Sequence, residues 1–196
     1  MTKKQEFLPV FRPNYGTEEI KAVSEVLKSG WIGMGPKTAE FEERFASYTG
    51  AKYAIALNSA TAALHLALIS AGVGPGDEVI VPSLTFVSDA HAILYVGARP
   101  VFADVEPDTL CLSPKDVARK ITKKTKAIIP VHYGGHPCEM KEFQRLAASK
   151  NITIVEDAAH ACGSVYHGRR IGNISPFTCF SFHAVKNLAT GDGGMI

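Results

Sequence analysis

Lys186 follows an aromatic, alternating run, Phe180-Ser181-Phe182-His183, and precedes a glycine-rich turn, Gly191-Asp192-Gly193-Gly194. Upstream, Val155-Glu156-Asp157-Ala158-Ala159-His160 puts an acid and a histidine where an apolar run gives out. A partly desolvated lysine has a lowered pKa and becomes an amine nucleophile. A carboxylate beside the apolar Ile152, Ile154 and Val155 needs a cation or a strong donor as partner. A protonated pyridine nitrogen would serve, in a charge-assisted bond contributing about 1.5–3 kcal/mol. The two residues could therefore hold a carbonyl-bearing ring, with the amine on the carbonyl and the acid on the ring nitrogen. Each also has a plainer reading. Lys186 could be a solvated surface lysine, Asp157 the cap of the segment after it, and His160 a space-filling ring rather than a donor to a ligand oxygen.

A third feature belongs with these. Asn58-Ser59-Ala60-Thr61-Ala62-Ala63-Leu64 is a strand-to-helix junction of small residues. Its free N–H groups and the Ser59 and Thr61 hydroxyls would suit a phosphate, and the same residues would also make an ordinary N-cap. The GxxxxGK[ST] phosphate loop is absent. Gly72-Val73-Gly74-Pro75-Gly76 follows a helix and precedes a strand, the reverse of a dinucleotide fingerprint. Ser181, five residues before Lys186, could bind an anion or bond locally. Trp31, the single tryptophan, lies in a glycine-rich loop, Gly30-Trp31-Ile32-Gly33-Met34-Gly35-Pro36, suited to ligand contact or to packing. His132, His136 and Cys138 match no standard zinc spacing, so no metal is expected.

These residues need a frame. Strands are expected over residues 53–57, 78–81, 99–105, 126–132, 151–156 and 177–182, with another starting at 193. Thr17, with Glu18 and Glu19 behind it, reads as the N-cap of a first helix whose apolar face is Ile20, Val23, Val26 and Leu27 and which stops at Ser29-Gly30. A second helix presents Phe41, Phe45 and Tyr48, and others are expected from Asn58 to Leu68, over 87–97, after Ser113-Pro114 and over 139–150. Alternation at this spacing predicts an α/β fold in three layers, a mostly parallel sheet with helices on both faces. Ligands in such sheets collect at the carboxyl ends of the strands, where Asn58, Ser83, His132, Asp157 and Ser181 fall. Residues 1–50 read as an N-terminal helical segment, and 51–196 as the domain that would carry the site. That domain stops in a strand, so the sequence reads as a fragment.

Composition narrows the class. A hydrophobic content of 46% over 196 residues is enough to bury a core. A formal charge of +2 is too mild to imply nucleic acid or a membrane surface as partner. The polar Met1-Thr2-Lys3-Lys4-Gln5-Glu6 start resembles no signal peptide, and no apolar run is long enough to span a bilayer. The four cysteines, Cys111, Cys138, Cys162 and Cys179, lack paired spacing and read as free thiols, so a cytoplasmic protein is expected.

With those residues assembled, the chain resembles the DegT/DnrJ/EryC1/StrS family of pyridoxal-phosphate sugar aminotransferases. The likeness is closest to members that aminate a 4-keto sugar nucleotide, such as UDP-4-amino-4-deoxy-L-arabinose aminotransferase. It rests on Ser29-Gly30-Trp31-Ile32, the Asn58–Leu64 junction, Val81-Pro82-Ser83-Leu84-Thr85-Phe86-Val87, Ile129-Pro130-Val131-His132-Tyr133-Gly134-Gly135, Glu156-Asp157-Ala158-Ala159-His160-Ala161 and the stretch from Ser181 to Gly194. The resemblance implies a fold type I aminotransferase large domain without its small C-terminal domain. It implies that Lys186 holds the cofactor and then acts as the acid–base group, and that Asp157 keeps the pyridine nitrogen protonated. Phe86 would stack on the ring, Ala60, Thr61 and Ser181 would bind the phosphate, and His160 would sit by the ring hydroxyl. His183 and Trp31 would face the substrate. A nucleotide-sugar substrate, an amino-acid donor (L-glutamate), a homodimer and a role in amino-sugar or cell-surface polysaccharide synthesis are implied as well. Ala60 stands where glycine is common, and Asp192 where glutamate is common. A dehydratase branch carries histidine at the lysine position, so Lys186 favours transamination. An inactive remnant that binds a nucleotide sugar or a partner is the alternative from another class.

Overall fold

The computed structural model describes residues 8–9 and 11–196. Phe7 and Val10 of the extended entry, and the polar start at 1–6, lie outside the described residues. Two helices open the chain, α1 (Thr17–Ser29) and α2 (Pro36–Thr49). Then come β1 (Ala56–Leu57), α3 (Ala60–Ser70), β2 (Glu78–Pro82), α4 (Ser88–Tyr95), β3 (Arg99–Ala103), α5 (Pro114–Lys120) and β4 (Thr125–Ile128). The last elements are α6 (Met140–Lys150), β5 (Thr153–Asp157), a hairpin of β6 (Val165–Tyr166) and β7 (Arg169–Arg170), β8 (Phe177–Ser181) and β9 (Gly194–Met195). One seven-stranded sheet runs β1-β9-β8-β5-β4-β2-β3. Its five strands from β8 to β3 are parallel, and β9 lies antiparallel between β8 and β1.

Alternation along each strand assigns the two faces. Val79, Val81, Ala127, Val155 and Cys179 pack against α3 and α4. Ile80, Ile128 and Ile154 point the other way, onto Val117 of α5 and Met140 and Phe143 of α6. The strands are apolar on both sides because helices cover both sides, which is the three-layer arrangement expected. Over β8 and β9 the covering helix is α2, whose Phe45 meets Phe180 and Phe182 edge to face at 5.0 and 5.4 Å. Burying a ring of that size contributes about 1.5–3 kcal/mol, so α2 is fixed over the strand that leads to Lys186.

The structure corrects several expectations. Gly16, not Thr17, caps α1, and its N–H donates to the Glu19 carboxylate at 2.6 Å. The apolar face of α1 is open, with Ile20, Val23 and Leu27 each at least 60% exposed. The strand expected over 53–57 shrinks to Ala56–Leu57, and Tyr53 and Ile55 are exposed, because β1 is an edge strand paired only with β9. β4 ends at Ile128 because Pro130 offers no N–H to a ladder, although the Pro130 carbonyl still accepts Asp157 N–H at 2.9 Å. The β6–β7 hairpin was not expected. Its turn residues His167 and Gly168 both have positive φ, the backbone of a two-residue hairpin turn.

One buried polar pair joins the strand ends. His132 and Glu156 are both fully buried, with Nε2 of the histidine 2.8 Å from Oε2 of the glutamate. His132 Nδ1 accepts the Cys138 N–H at 3.1 Å, so the ring proton sits on Nε2 and is donated to Glu156. The His132 N–H also donates to the Asp157 carbonyl at 3.0 Å. This locks the residue before Asp157 and the backbone of Asp157 itself against the chain leaving β4. Both ring nitrogens of His132 are thereby used within the fold.

Candidate active site

The cavity at the carboxyl ends of β2, β4, β5 and β8 has a volume of about 360 Å³, within the range of small-molecule sites. Asp157 closes β5 and lines its floor, 5% exposed. Ser181 closes β8, and Lys186 sits on the loop that follows. That loop is tied at several points. Phe182 N–H donates to Gly193 O and Thr190 N–H to Phe182 O, each at 2.9 Å. Lys186 N–H reaches His183 O at 2.9 Å, and the Asn187 side-chain amide donates to Cys162 O at 2.7 Å. Lys186 is thus held against the segment that follows Asp157 rather than trailing in solvent.

The electrostatics follow from burial. Desolvation lowers the Lys186 pKa, and the nearby Asp157 charge opposes that. Burial raises the Asp157 carboxyl, against the Ala159 N–H bond at 2.8 Å and the Lys186 charge. His160 is lowered by desolvation and by the Lys186 charge, so its ring is neutral near pH 7. A lysine more easily deprotonated, beside an acid held off the solvent, is what amine attack on a carbonyl requires.

The first turn of α3 lines the same cavity. Ser59 Oγ caps it by accepting the Ala62 N–H at 3.1 Å, and Ser59 O accepts the Ala63 N–H at 3.1 Å. The N–H groups of Ala60 and Thr61 have no intrahelical acceptor and meet the cavity. Thr61 Oγ1 lies 2.7 Å from Ser88 Oγ, which joins the starts of α3 and α4 at one wall. Two helix N-termini and a cluster of hydroxyls suit a phosphate. Gly194 matters here for its lack of a side chain. A Cβ would press on the Ser59 carbonyl group and lie 2.7 Å from Ala60 N. Gly194→Ala is therefore expected to destabilise the fold by about 1–3 kcal/mol and to weaken anion binding at Ala60 and Thr61. Thermal unfolding with and without added phosphate ester measures both.

The structure brings Ala60, Thr61, Phe86, Asp157 and His160 to this cavity, with Ser181, His183 and Lys186. Phe86 is 74% exposed at its mouth. Trp31 does not line it. The indole is exposed and its Nε1–H donates to Met34 O at 2.9 Å, closing its own loop. Sequence reasoning missed Thr85, Ser88, Asp89 and Tyr133. Asp89 could have been noticed as the lone acid between residues 79 and 98, whereas Tyr133 carried no signal beyond its place after a strand. A lysine, an acid and a helix N-terminus around one cavity could hold a ring that carries an aldehyde, a basic nitrogen and a phosphate.

Comparison with known proteins agrees with this chemistry. The model of the DegT/DnrJ/EryC1/StrS aminotransferase family matches residues 13–196. The spore coat polysaccharide biosynthesis protein SpsC of Bacillus subtilis is 50% identical over 194 residues, covering 99% of this chain and 50% of SpsC. The PLP form of Spr1654 from Streptococcus pneumoniae superposes with a TM-score of 0.93 at 43% identity, covering 96% of this chain and 52% of that one. Helicobacter pylori PseC, an aminotransferase involved in the biosynthesis of pseudoaminic acid, superposes with a TM-score of 0.90 at 32% identity, covering 95% and 51%. The chain spans about half the length of the relatives it matches.

Proposed function

Because the chain belongs to the DegT/DnrJ/EryC1/StrS aminotransferase family, we propose that it carries the cofactor site of an enzyme that aminates a nucleotide-linked keto sugar, with L-glutamate as donor. The carrying observation is that Lys186, Asp157 and the first turn of α3 line one cavity. Pyridoxal phosphate is the cofactor, and when bound it supplies an aldehyde that takes amines and a pyridinium ring that withdraws electrons. Lys186 Nζ would hold it through its aldehyde and, when displaced by the donor amine, would be the base whose Nζ takes the proton from the donor's α-carbon. Asp157 would accept the ring N–H and keep it protonated. Ala60, Thr61 and Ser181 would hold the phosphate, Phe86 would cover the ring face and His160 would meet the ring hydroxyl.

The finer reading makes the sugar a 4-keto one and its product an amino sugar for surface polysaccharide. His183 faces the substrate in this reading, as does the Trp31 loop, which lies outside the cavity lining. In this reading the full-length protein is cytoplasmic and a homodimer, and the exposed Leu94 and Tyr95 on α4 support such an interface. Residues 1–50 remain a helical entry to the cofactor domain in this reading. Among the described residues, no helix is long and apolar enough to cross a membrane.

The test supplies the full chain with pyridoxal phosphate, L-glutamate and a panel of nucleotide-linked keto sugars. Mass spectrometry should find 2-oxoglutarate and an amino-sugar nucleotide appearing in step. Failure to form a 2-oxo acid from glutamate or any other amino acid overturns the reading.

A further inference from the structure

Asp89 is fully buried in the first turn of α4, next in sequence to Ser88, which lines the same cavity. Its Oδ2 accepts the hydroxyl proton of Thr85. Its Oδ1 is buried with no donor among the described residues, yet the side chain lies within hydrogen-bonding reach of Asp157. Two ionised carboxylates so placed would repel one another in a medium that screens them poorly, and an orphaned oxygen there is costly. A single proton between them removes both problems, as in other buried carboxyl pairs.

The surroundings say which acid holds it. Asp157 accepts the Ala159 N–H, and the Lys186 charge favours its ionised form. Asp89 has only the Thr85 hydroxyl, and it faces Asp157 on β5 and the buried Cys179 thiol on β8. Burial and the Asp157 charge push the Asp89 carboxyl well above the usual range.

We propose that Asp89 is a positioning residue, a neutral carboxylic acid whose O–H donates to Asp157 and keeps that carboxylate ionised and aimed at the ring nitrogen of the cofactor. The aim at the ring nitrogen rests on the functional reading above; the shared proton does not. Proton sharing involves no other reactant, because the proton stays within the pair.

Two variants separate the parts. Asp89→Asn keeps the shape, the acceptor for Thr85 and a donor for Asp157, but cannot titrate. Asp89→Ala removes the donor. Infrared difference spectra of the cofactor-free full chain at neutral pH should show a protonated-carboxyl C=O band, absent in both variants. The folded protein holds a proton that the unfolded chain releases above a pH of about 3.9. Stability should therefore fall as pH rises from there toward the raised folded value, and the Asp89→Asn protein should lack that slope. Pyridoxal phosphate should bind Asp89→Asn about as well as the parent and Asp89→Ala about tenfold more weakly. A missing acid band, or equal weakening in both variants, overturns the proposal. A protein that shows the band but binds no pyridoxal phosphate overturns the functional reading instead, and leaves Asp89 as the proton carrier of a carboxyl pair.

Discussion

Replacing Lys186 with alanine is expected to leave the fold intact and to abolish transamination, by about 10⁴-fold or more. Both roles assigned to this residue, attachment of the cofactor and proton movement, pass through the one amine, and general acid–base action alone is worth roughly 10²–10⁴. Lys186→Arg should fail similarly, since a guanidinium keeps its charge but does not deprotonate to attack. The physical check is direct. Borohydride treatment of the parent with pyridoxal phosphate should fix the cofactor mass on the peptide containing Lys186, and neither variant should acquire it. Unfolding can be excluded from the linkage sign. The Lys186 pKa is lowered in the fold by burial, so the unfolded chain binds more protons and stability rises with pH between the folded value and about 10.4. Losing a partly desolvated cation therefore costs no stability near pH 7, and the cofactor-free Lys186→Ala protein should melt at or slightly above the parent temperature. A cofactor mass on another lysine with full activity in Lys186→Ala would end the assignment.

Much of the cavity's lining is legible in the sequence, for a physical reason. The C-terminal ends of buried strands are marked in sequence by the change from apolar to polar residues, and Asp157 and Ser181 both stand at such a change. The start of α3 was legible because Ser59 caps it through local bonding that needs no tertiary contact. What stayed hidden depended on contacts between distant elements. The edge position of β1 is set by its pairing with β9, about 140 residues away, and an apolar run at 53–57 reads the same at an edge as at a centre. The exposed face of α1 likewise carries the 3.6-residue pattern of a buried helix. Asp89 and the His132–Glu156 pair were missed because sequence gives no measure of burial for an isolated acid. Trp31 is a different case: a rare aromatic in a glycine loop suggests a ligand, and in the fold its indole N–H donates to Met34 O outside the cavity.

The second large effect is expected at Asp157. Asp157→Ala removes the acceptor for the ring N–H, a charge-assisted bond of about 1.5–3 kcal/mol, so pyridoxal phosphate should bind roughly 10–150-fold more weakly. Turnover should fall further than affinity, because an electron sink that is no longer held protonated is weaker in the transition state than in the ground state. Asp157→Asn separates shape from charge, since its amide oxygen can still accept the Ala159 N–H that Asp157 takes at 2.8 Å. It should preserve the loop and still lose most activity, whereas a loss confined to Asp157→Ala would make the residue structural only. The pH behaviour gives a second reading. Burial raises this carboxyl in the fold, so it contributes a stability that declines as pH climbs from about 3.9 toward the folded value. Because the carboxyl pair holds one proton, the slopes removed by Asp157→Asn and by Asp89→Asn should not add. A double-mutant cycle on cofactor-free protein should return a coupling of about 0.5–3 kcal/mol, the size seen for groups in direct contact. Independent sites would give a value near zero, and Asp157 would then act on the ring alone.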